Sequence, residues 1–176
     1  MLNYININLP ADSKNEALSR SIVGAFAVEL PFTLEDIGDI KTAVSEAVTN
    51  CIVHGYNYDK EKEINIICKL YDNYLEVCIK DNGCGITNID EAMQPFYTTK
   101  PNEERSGMGF TIMSTFMDNL TVKSTAGQGT EITFIKKPSN VRAWKNYKTN
   151  YTCSTRRRKC KNWTCYWKFT ASKVHS

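Results

Sequence analysis

The chain opens on an alternation: Ile5, Ile7 and Leu9 are separated by Asn6 and Asn8, and Pro10 follows. A period of two predicts a half-buried strand, closed where proline removes a backbone donor. Two helical patterns come next. The first, KNEALSRSIVGAFAVEL, takes Ser13 as N-cap and ends before Pro31, since the residue ahead of a proline is pushed out of the helical region. The second takes Thr33 as N-cap, with Asp36 in the first turn, and runs to His54 with Gly55 as its stop. A carboxylate in the first turn favours the positive end of the helix dipole, and glycine is the usual residue past a helix end. EINIICKLY and YLEVCIKD read as strands joined around Asp72-Asn73, and DNGCGI as a glycine-bearing loop. A short helix near Asp90 to Met93, a helix from about Phe110 to Met117 and a hairpin, LTVKST–AGQG–TEITFIKK, complete the pattern.

This order predicts an α/β (α+β) sandwich: one mixed, mostly antiparallel sheet with helices packed on one face. One stretch does not fit. PFYTTKPNEERSGMG, from Pro95 to Gly109, is polar and irregular. A loop of about fifteen residues inside a compact domain is usually a lid or a binding loop.

Composition divides the chain in two. Up to Lys137 there are 12 Lys and Arg against 19 Asp and Glu, a balance of −7. From Pro138 onward there are 10 Lys and Arg and no acids, together with Trp144, Trp163 and Trp167 and no Gly, Leu or Ile. The domains are therefore 1–137 and a basic, aromatic tail, 138–176. No run of 18 apolar residues is present, so nothing spans a membrane. MLNYININLP has no basic n-region and no small-residue cleavage site, which makes a cytoplasmic address the default. Cys51, Cys68, Cys78 and Cys84 stand singly and read as small buried hydrophobes in a reducing compartment.

Candidate chemistry lies in four places. Glu46, Asn50 and His54 fall four apart and share a helix face. Asn50 offers a neutral oxygen to a hard cation such as Mg²⁺, and Glu46, one turn earlier, is near enough to act as a base on a hydroxyl. Alone, the line reads more readily as a solvated face. Asp81, at a strand end in DNGCGI, can accept a hydrogen bond from an exocyclic amine, with Gly83 and Gly85 allowing close approach. Alone, it is an ordinary turn. Gly107-Met108-Gly109 presents free N–H groups at a helix start, with Lys100 and Arg105 upstream to meet phosphate oxygens. A flexible hinge explains the glycines equally well. Turn chemistry of the I′ or II′ kind accounts for Gly127 and Gly129, and leaves Thr130 an optional role beside a bound base.

Taken in order, these four resemble the ATP-binding fold shared by DNA gyrase, Hsp90 chaperones, sensor histidine kinases and mismatch-repair ATPases, known as the Bergerat fold. SEAVTNCIVHGY, DNGCGI, PFYTTKP and ERSGMGFTIM resemble more closely the anti-sigma factor serine kinases, over about Leu2 to Lys137, and YININLP and TIMSTFMD their sporulation branch. The resemblance implies a protein serine/threonine kinase with ATP and Mg²⁺ as cofactors. Glu46 would be the catalytic base, Asn50 the Mg²⁺ ligand and Asp81 the partner of adenine N6, with Gly83, Gly85 and Thr130 around the base. Thr98, Thr99, Lys100, Arg105, Ser106, Gly107, Met108, Gly109 and Phe110 would form the lid and its contacts, Arg105 reaching the γ-phosphate. Arg20 would hold protein partners, and His54 would pack or cap the helix end.

The implied partners are sporulation sigma factor F and an anti-anti-sigma factor that is phosphorylated on serine. A homodimer is implied, with no membrane and no direct nucleic-acid contact. Two further readings stay open: a sister kinase serving a stress-response sigma factor, and a non-catalytic ATP-dependent sequestering protein, which would have no use for Glu46. A sensor histidine kinase needs an upstream histidine helix that the chain lacks.

The tail resembles nothing in that family. RRRKCKNWTCYW mixes basic and aromatic residues as nucleic-acid patches do, and Cys153, Cys160, Cys165 and His175 carry metal-binding atoms, but neither spacing matches a ligand pattern. The loss of acids, Gly, Leu and Ile fits a shifted reading frame better, with a disordered basic extension and a functional extension as the other readings.

Overall fold

In the computed structural model, described for residues 1–97 and 107–140, the opening alternation forms β1 (Asn3–Pro10), followed by α1 (Lys14–Ala27) and α2 (Leu34–Asn50). A π-helical turn (Cys51–Gly55) continues α2. Then come β2 (Glu63–Leu70), β3 (Leu75–Lys80), α3 (Ile89–Ala92), α4 (Gly109–Phe116), β4 (Asn119–Thr125) and β5 (Gly129–Lys136). The five strands make one sheet in the order β1-β2-β3-β5-β4. All four pairings are antiparallel, so the sheet is not mixed. No helix among the described residues is long and apolar enough to cross a membrane.

One face of the sheet makes the core. Ile64, Ile66, Cys68 and Leu70 of β2, Leu75, Val77 and Ile79 of β3, and Ile132 and Phe134 of β5 are buried there. Against them lie Ile40, Ala43, Val44, Ala47 and Val48 of α2 with Val23, Phe26 and Ala27 of α1, all buried. Removing each large aliphatic side chain from water contributes about 1.5–3 kcal/mol, so this face fixes where α2 can sit.

Two helix starts behave differently. Thr33 caps α2 as expected: its hydroxyl accepts the Asp36 N–H, and the Asp36 carboxylate accepts the Thr33 N–H at 2.9 Å, a reciprocal capping box. Ser13 makes no capping bond, because its own backbone is helical. The Asp12 carboxylate accepts the Lys14 N–H instead, at 3.0 Å. Helix α1 also stops at Ala27, and the chain tightens through Glu29 N–H to Phe26 O and Leu30 N–H to Ala27 O before Pro31. The β4–β5 turn spans three residues, 126–128, rather than the four of AGQG, with Thr125 paired to Gly129. Of the four body cysteines, Cys51 and Cys68 are buried, but Cys84 is exposed.

Asp36 also ties the end of the sheet to α2. Its carboxylate accepts the Ser139 N–H at 3.2 Å and the Ser139 hydroxyl, while Lys136 Nζ bonds Asp39 at 2.7 Å and the Phe116 carbonyl at 2.8 Å. Burial alone would raise the Asp36 pKa, but the hydrogen bonds from Ser139 and Thr33 outweigh it and hold the carboxyl below its ordinary 3.8. Ser139→Ala should therefore lower stability by about 1–2 kcal/mol at pH 7 in denaturant unfolding of the full chain. A depressed carboxyl stabilises the fold above its unfolded value, so the margin over the variant persists down to pH 3.8 and is lost as pH falls through the lower folded value.

Candidate nucleotide site

Along α2 the core side chains recur at 43, 44, 47, 48 and 51, which leaves Glu46 and Asn50 half-buried on the flank that turns toward α4. They converge on Gly109, the first residue of α4. A Cβ there would lie 3.0 Å from Glu46 Oε2, 3.5 Å from Asn50 Nδ2 and 3.6 Å from Asn50 Oδ1. Glycine thus leaves a cradle between a carboxylate, an amide and a helix start. Glu46 borders a second space as well. With Arg20, Ser21, Lys41, Thr42 and Ser45 it lines an open groove of about 450 Å³ between α1 and α2. Arg20, half exposed, is paired with Glu16 at 3.6 Å, and Glu16 accepts the Ser45 hydroxyl.

His54 lies in a π turn rather than in the α-helix that carries Glu46 and Asn50. After Asn50 the helix widens, and the Tyr56 N–H reaches back five residues to the Cys51 carbonyl at 2.9 Å. Cys51, Ile52 and Val53 are buried in succession along this wider turn, and His54 is half-buried. The His54 carbonyl accepts the Cys84 thiol at 2.8 Å. Nor is Gly55 a left-handed stop. The positive φ values fall later, at Asn57 (48°) and Tyr58 (66°). Gly55 is needed because a Cβ there would stand 3.0 Å from the Asp81 carboxyl.

Asp81 is 3% exposed. Its N–H donates to Thr130 O at 2.9 Å, and its Oδ1 accepts the Gly83 N–H at 2.8 Å. Burial pushes the Asp81 pKa up, against the pull of Gly83 and of the Cys51 thiol. Such a carboxylate, poorly hydrated and only partly satisfied by its own chain, is suited to accepting an amine from a ligand. The neighbouring Asn82 N–H donates to the Tyr56 hydroxyl at 2.7 Å, which in turn donates to Glu63 O at 2.6 Å.

The glycines expected to admit a ligand first admit other parts of the chain. A Cβ on Gly83 would lie 2.1 Å from Gly55 O, one on Gly85 would lie 2.1 Å from Thr125 O, and one on Gly129 would lie 2.1 Å from Asp81 O. The Thr130 hydroxyl, 2.9 Å from Ser124 Oγ, belongs to a network in which Ser124 accepts the Ile86 N–H at 2.7 Å and donates to Gly129 O at 2.9 Å. Tyr56 and Ser124 were given no role from sequence, and Gly129 only that of a turn residue. Each works through a backbone contact distant in the chain, which leaves no local pattern.

Gly107 has φ +64°, and its carbonyl accepts the Phe96 N–H at 3.1 Å, joining the two ends of the long loop. Gly107, Met108, Gly109 and Phe110 are all half-buried beside α2. Thr98, Thr99, Lys100, Arg105 and Ser106 lie outside the described residues.

The contrast between two glycines can be measured by denaturant unfolding. Gly83→Ala should cost at least about 2 kcal/mol, because a backbone oxygen 2.1 Å away cannot give. Gly38→Ala, with nothing within 4 Å on the surface of α2, should stabilise by about 0.5–1 kcal/mol through helix propensity.

Comparison with known proteins places the chain in a family. The histidine kinase-like ATPase domain matches residues 9–136. The anti-sigma F factor of Clostridium perfringens strain 13 is 48% identical over 137 residues, covering 78% of this chain and 98% of the relative. That of Thermoanaerobacter sp. strain X514 is 50% identical over 134 residues, covering 76% and 93%. That of Priestia megaterium is 46% identical over 144 residues, covering 81% and 98%. Among solved structures, the RsbU and RsbW domains of a Mycobacterium tuberculosis protein superpose with a TM-score of 0.56 at 21% identity, covering 77% of this chain and 32% of that one, a likeness of fold. Identity near one half along almost the full length of several relatives leaves one conclusion about descent: the chain belongs to the anti-sigma F factor family, on the histidine kinase-like ATPase domain.

Proposed function

We propose that the protein is an ATP-dependent anti-sigma factor that sequesters sporulation sigma factor F and phosphorylates its anti-anti-sigma antagonist on serine. The observation that carries this reading is the convergence of Glu46 and Asn50 on Gly109, which sets a base and an oxygen ligand against a glycine-led helix start. The names of the relatives supply the partner class.

Asp81 takes the adenine amine in a buried pocket whose wall includes Gly83, Gly85 and Thr130. The N–H groups at the start of α4, from Gly107 to Phe110, face the phosphates, with Thr98, Thr99, Lys100, Arg105 and Ser106 closing over them as a lid. Among the described residues no group of three or more His, Cys, Asp or Glu is placed to hold a metal. The cradle instead offers the Asn50 amide beside the Glu46 carboxylate, which fits Mg²⁺, an ion that draws most of its ligands from phosphates and water. Bound there, Mg²⁺ supplies charge neutralisation along the triphosphate.

Glu46, shared by the cradle and the α1–α2 groove, is placed between nucleotide and acceptor. As the acceptor serine oxygen bonds to the γ-phosphorus and the bond to the ADP oxygen breaks, the hydroxyl proton passes to the Glu46 carboxylate. The acceptor approaches along the groove, where Arg20 and Lys41 present positive charge to the protein partner. Phosphorylation adds charge to the antagonist and ends its affinity, which frees the anti-sigma factor to hold sigma again. The protein works as a cytoplasmic homodimer. Residues 1–137 carry these activities and 138–176 do not; the family match ending at residue 136 supports that boundary.

Glu46→Gln should leave the ATP dissociation constant within twofold and lower phosphoryl transfer to the antagonist by about 10²–10⁴. Transfer at an undiminished rate would remove Glu46 from the role of base. Asp81→Asn should weaken ATP binding at least about tenfold without lowering the melting temperature. The raised pKa of Asp81 means that its charge costs folding energy at neutral pH, and the amide removes that cost.

A further inference from the structure

The peptide that follows Asp81 is held at both ends. Its N–H, on Asn82, donates to the Tyr56 hydroxyl at 2.7 Å. Its oxygen lies against Gly129, so closely that a Cβ there would come within 2.1 Å. The Asp81 N–H is fixed in turn by Thr130 O at 2.9 Å, and Oδ1 by the Gly83 N–H at 2.8 Å. Of these four restraints, three are backbone and one is a side chain. Tyr56 is 8% exposed, and its hydroxyl accepts from Asn82 while donating to Glu63 O at 2.6 Å, at the start of β2.

We infer that Tyr56 is a positioning residue for the nucleotide base: its phenol sets the plane of the Asp81–Asn82 peptide, and through it the direction of the Asp81 carboxylate. This rests on the reading of Asp81 as the acceptor of the adenine amine. The π turn gives Tyr56 its reach. By adding a residue between Cys51 and Tyr56, it turns the ring under the end of β3 instead of leaving it on the α-helical path. Burial raises the Tyr56 pKa, so the phenol stays protonated at neutral pH and can give its proton to Glu63 while accepting from Asn82.

A purely structural role and a positioning role differ in one respect. Loss of folding lowers the binding of every nucleotide equally, whereas a misdirected carboxylate lowers only the binding that depends on the exocyclic amine. ITP carries an oxygen where ATP carries that amine, so the ratio of the two dissociation constants reads the direction of Asp81. Tyr56→Phe keeps the ring and removes the hydroxyl. With the full chain, ATP binding should weaken about tenfold, ITP binding should change by less than about twofold, and the rate of phosphoryl transfer at saturating ATP should stay within about twofold, as uniform-binding losses do.

Should Tyr56→Phe not fold, 3-fluorotyrosine at position 56 keeps the shape and weakens the phenol as an acceptor, and should shift the ATP-to-ITP ratio in the same direction by a smaller factor. Asp81→Asn separates the two layers. If it leaves the ATP-to-ITP ratio unchanged, the adenine assignment of Asp81 fails. If it abolishes the preference while the folded Tyr56 variant retains the wild-type ratio, the inference about Tyr56 alone is overturned.

Discussion

The contact between the Gly55 carbonyl and the DNG turn sets the geometry of the whole site. Two chain segments that lie far apart in sequence meet there without side chains between them. The Cys84 N–H bonds the Gly55 oxygen at 3.0 Å, and Gly83 lies too close to that oxygen for any Cβ. Because α2 is also fixed to the sheet by Ile40, Val44 and Val48, this one approach determines how far the Asp81 carboxylate stands from Glu46 and Asn50. A larger residue at 55 or 83 would push the Asp81 turn away from the end of α2 that carries Glu46 and Asn50. Close packing of backbone, rather than any charge pair, is what assembles the site.

The two buried carboxylates show how differently a fold can treat the same group. Asp36 is surrounded by donors from Thr33, Ser139 and Lys136, and its charge is held. Asp81 has fewer donors, the Gly83 N–H and the Cys51 thiol, so burial prevails and its charge is resisted. The first stabilises a helix start and the exit of a strand. The second carries its charge at a cost that the rest of the fold offsets, which is the behaviour expected of a carboxylate kept for a ligand.

What could be read from the sequence divides along the same physical line. Strands and helices followed from hydrophobic period, and Thr33 with Asp36 was recognisable as a cap because a capping box is local. Ser13 misled because Asp12, one residue earlier, was equally able to accept, and composition does not rank them. Glu46 and Asn50 were visible as neighbours one turn apart, but the π turn that follows them was not, since it has no signature beyond one inserted residue. The glycines were visible, but the reason for Gly83 and Gly129 was another strand or turn pressing on them. Residues acting across long sequence separations, such as Tyr56 on Asn82 or Ser124 on Ile86, are legible only once the chain is folded.

The capping box at Thr33 has a mechanical meaning beyond its stability. Helix α2 has 17 residues, a rod about 25 Å long at 1.5 Å per residue. One end is clasped by the carboxylate that also holds Ser139, and the other runs into the turn beneath Asp81. Gripped at both ends, the helix acts as a strut that holds the exit of β5 and the turn carrying Asp81 at a fixed separation.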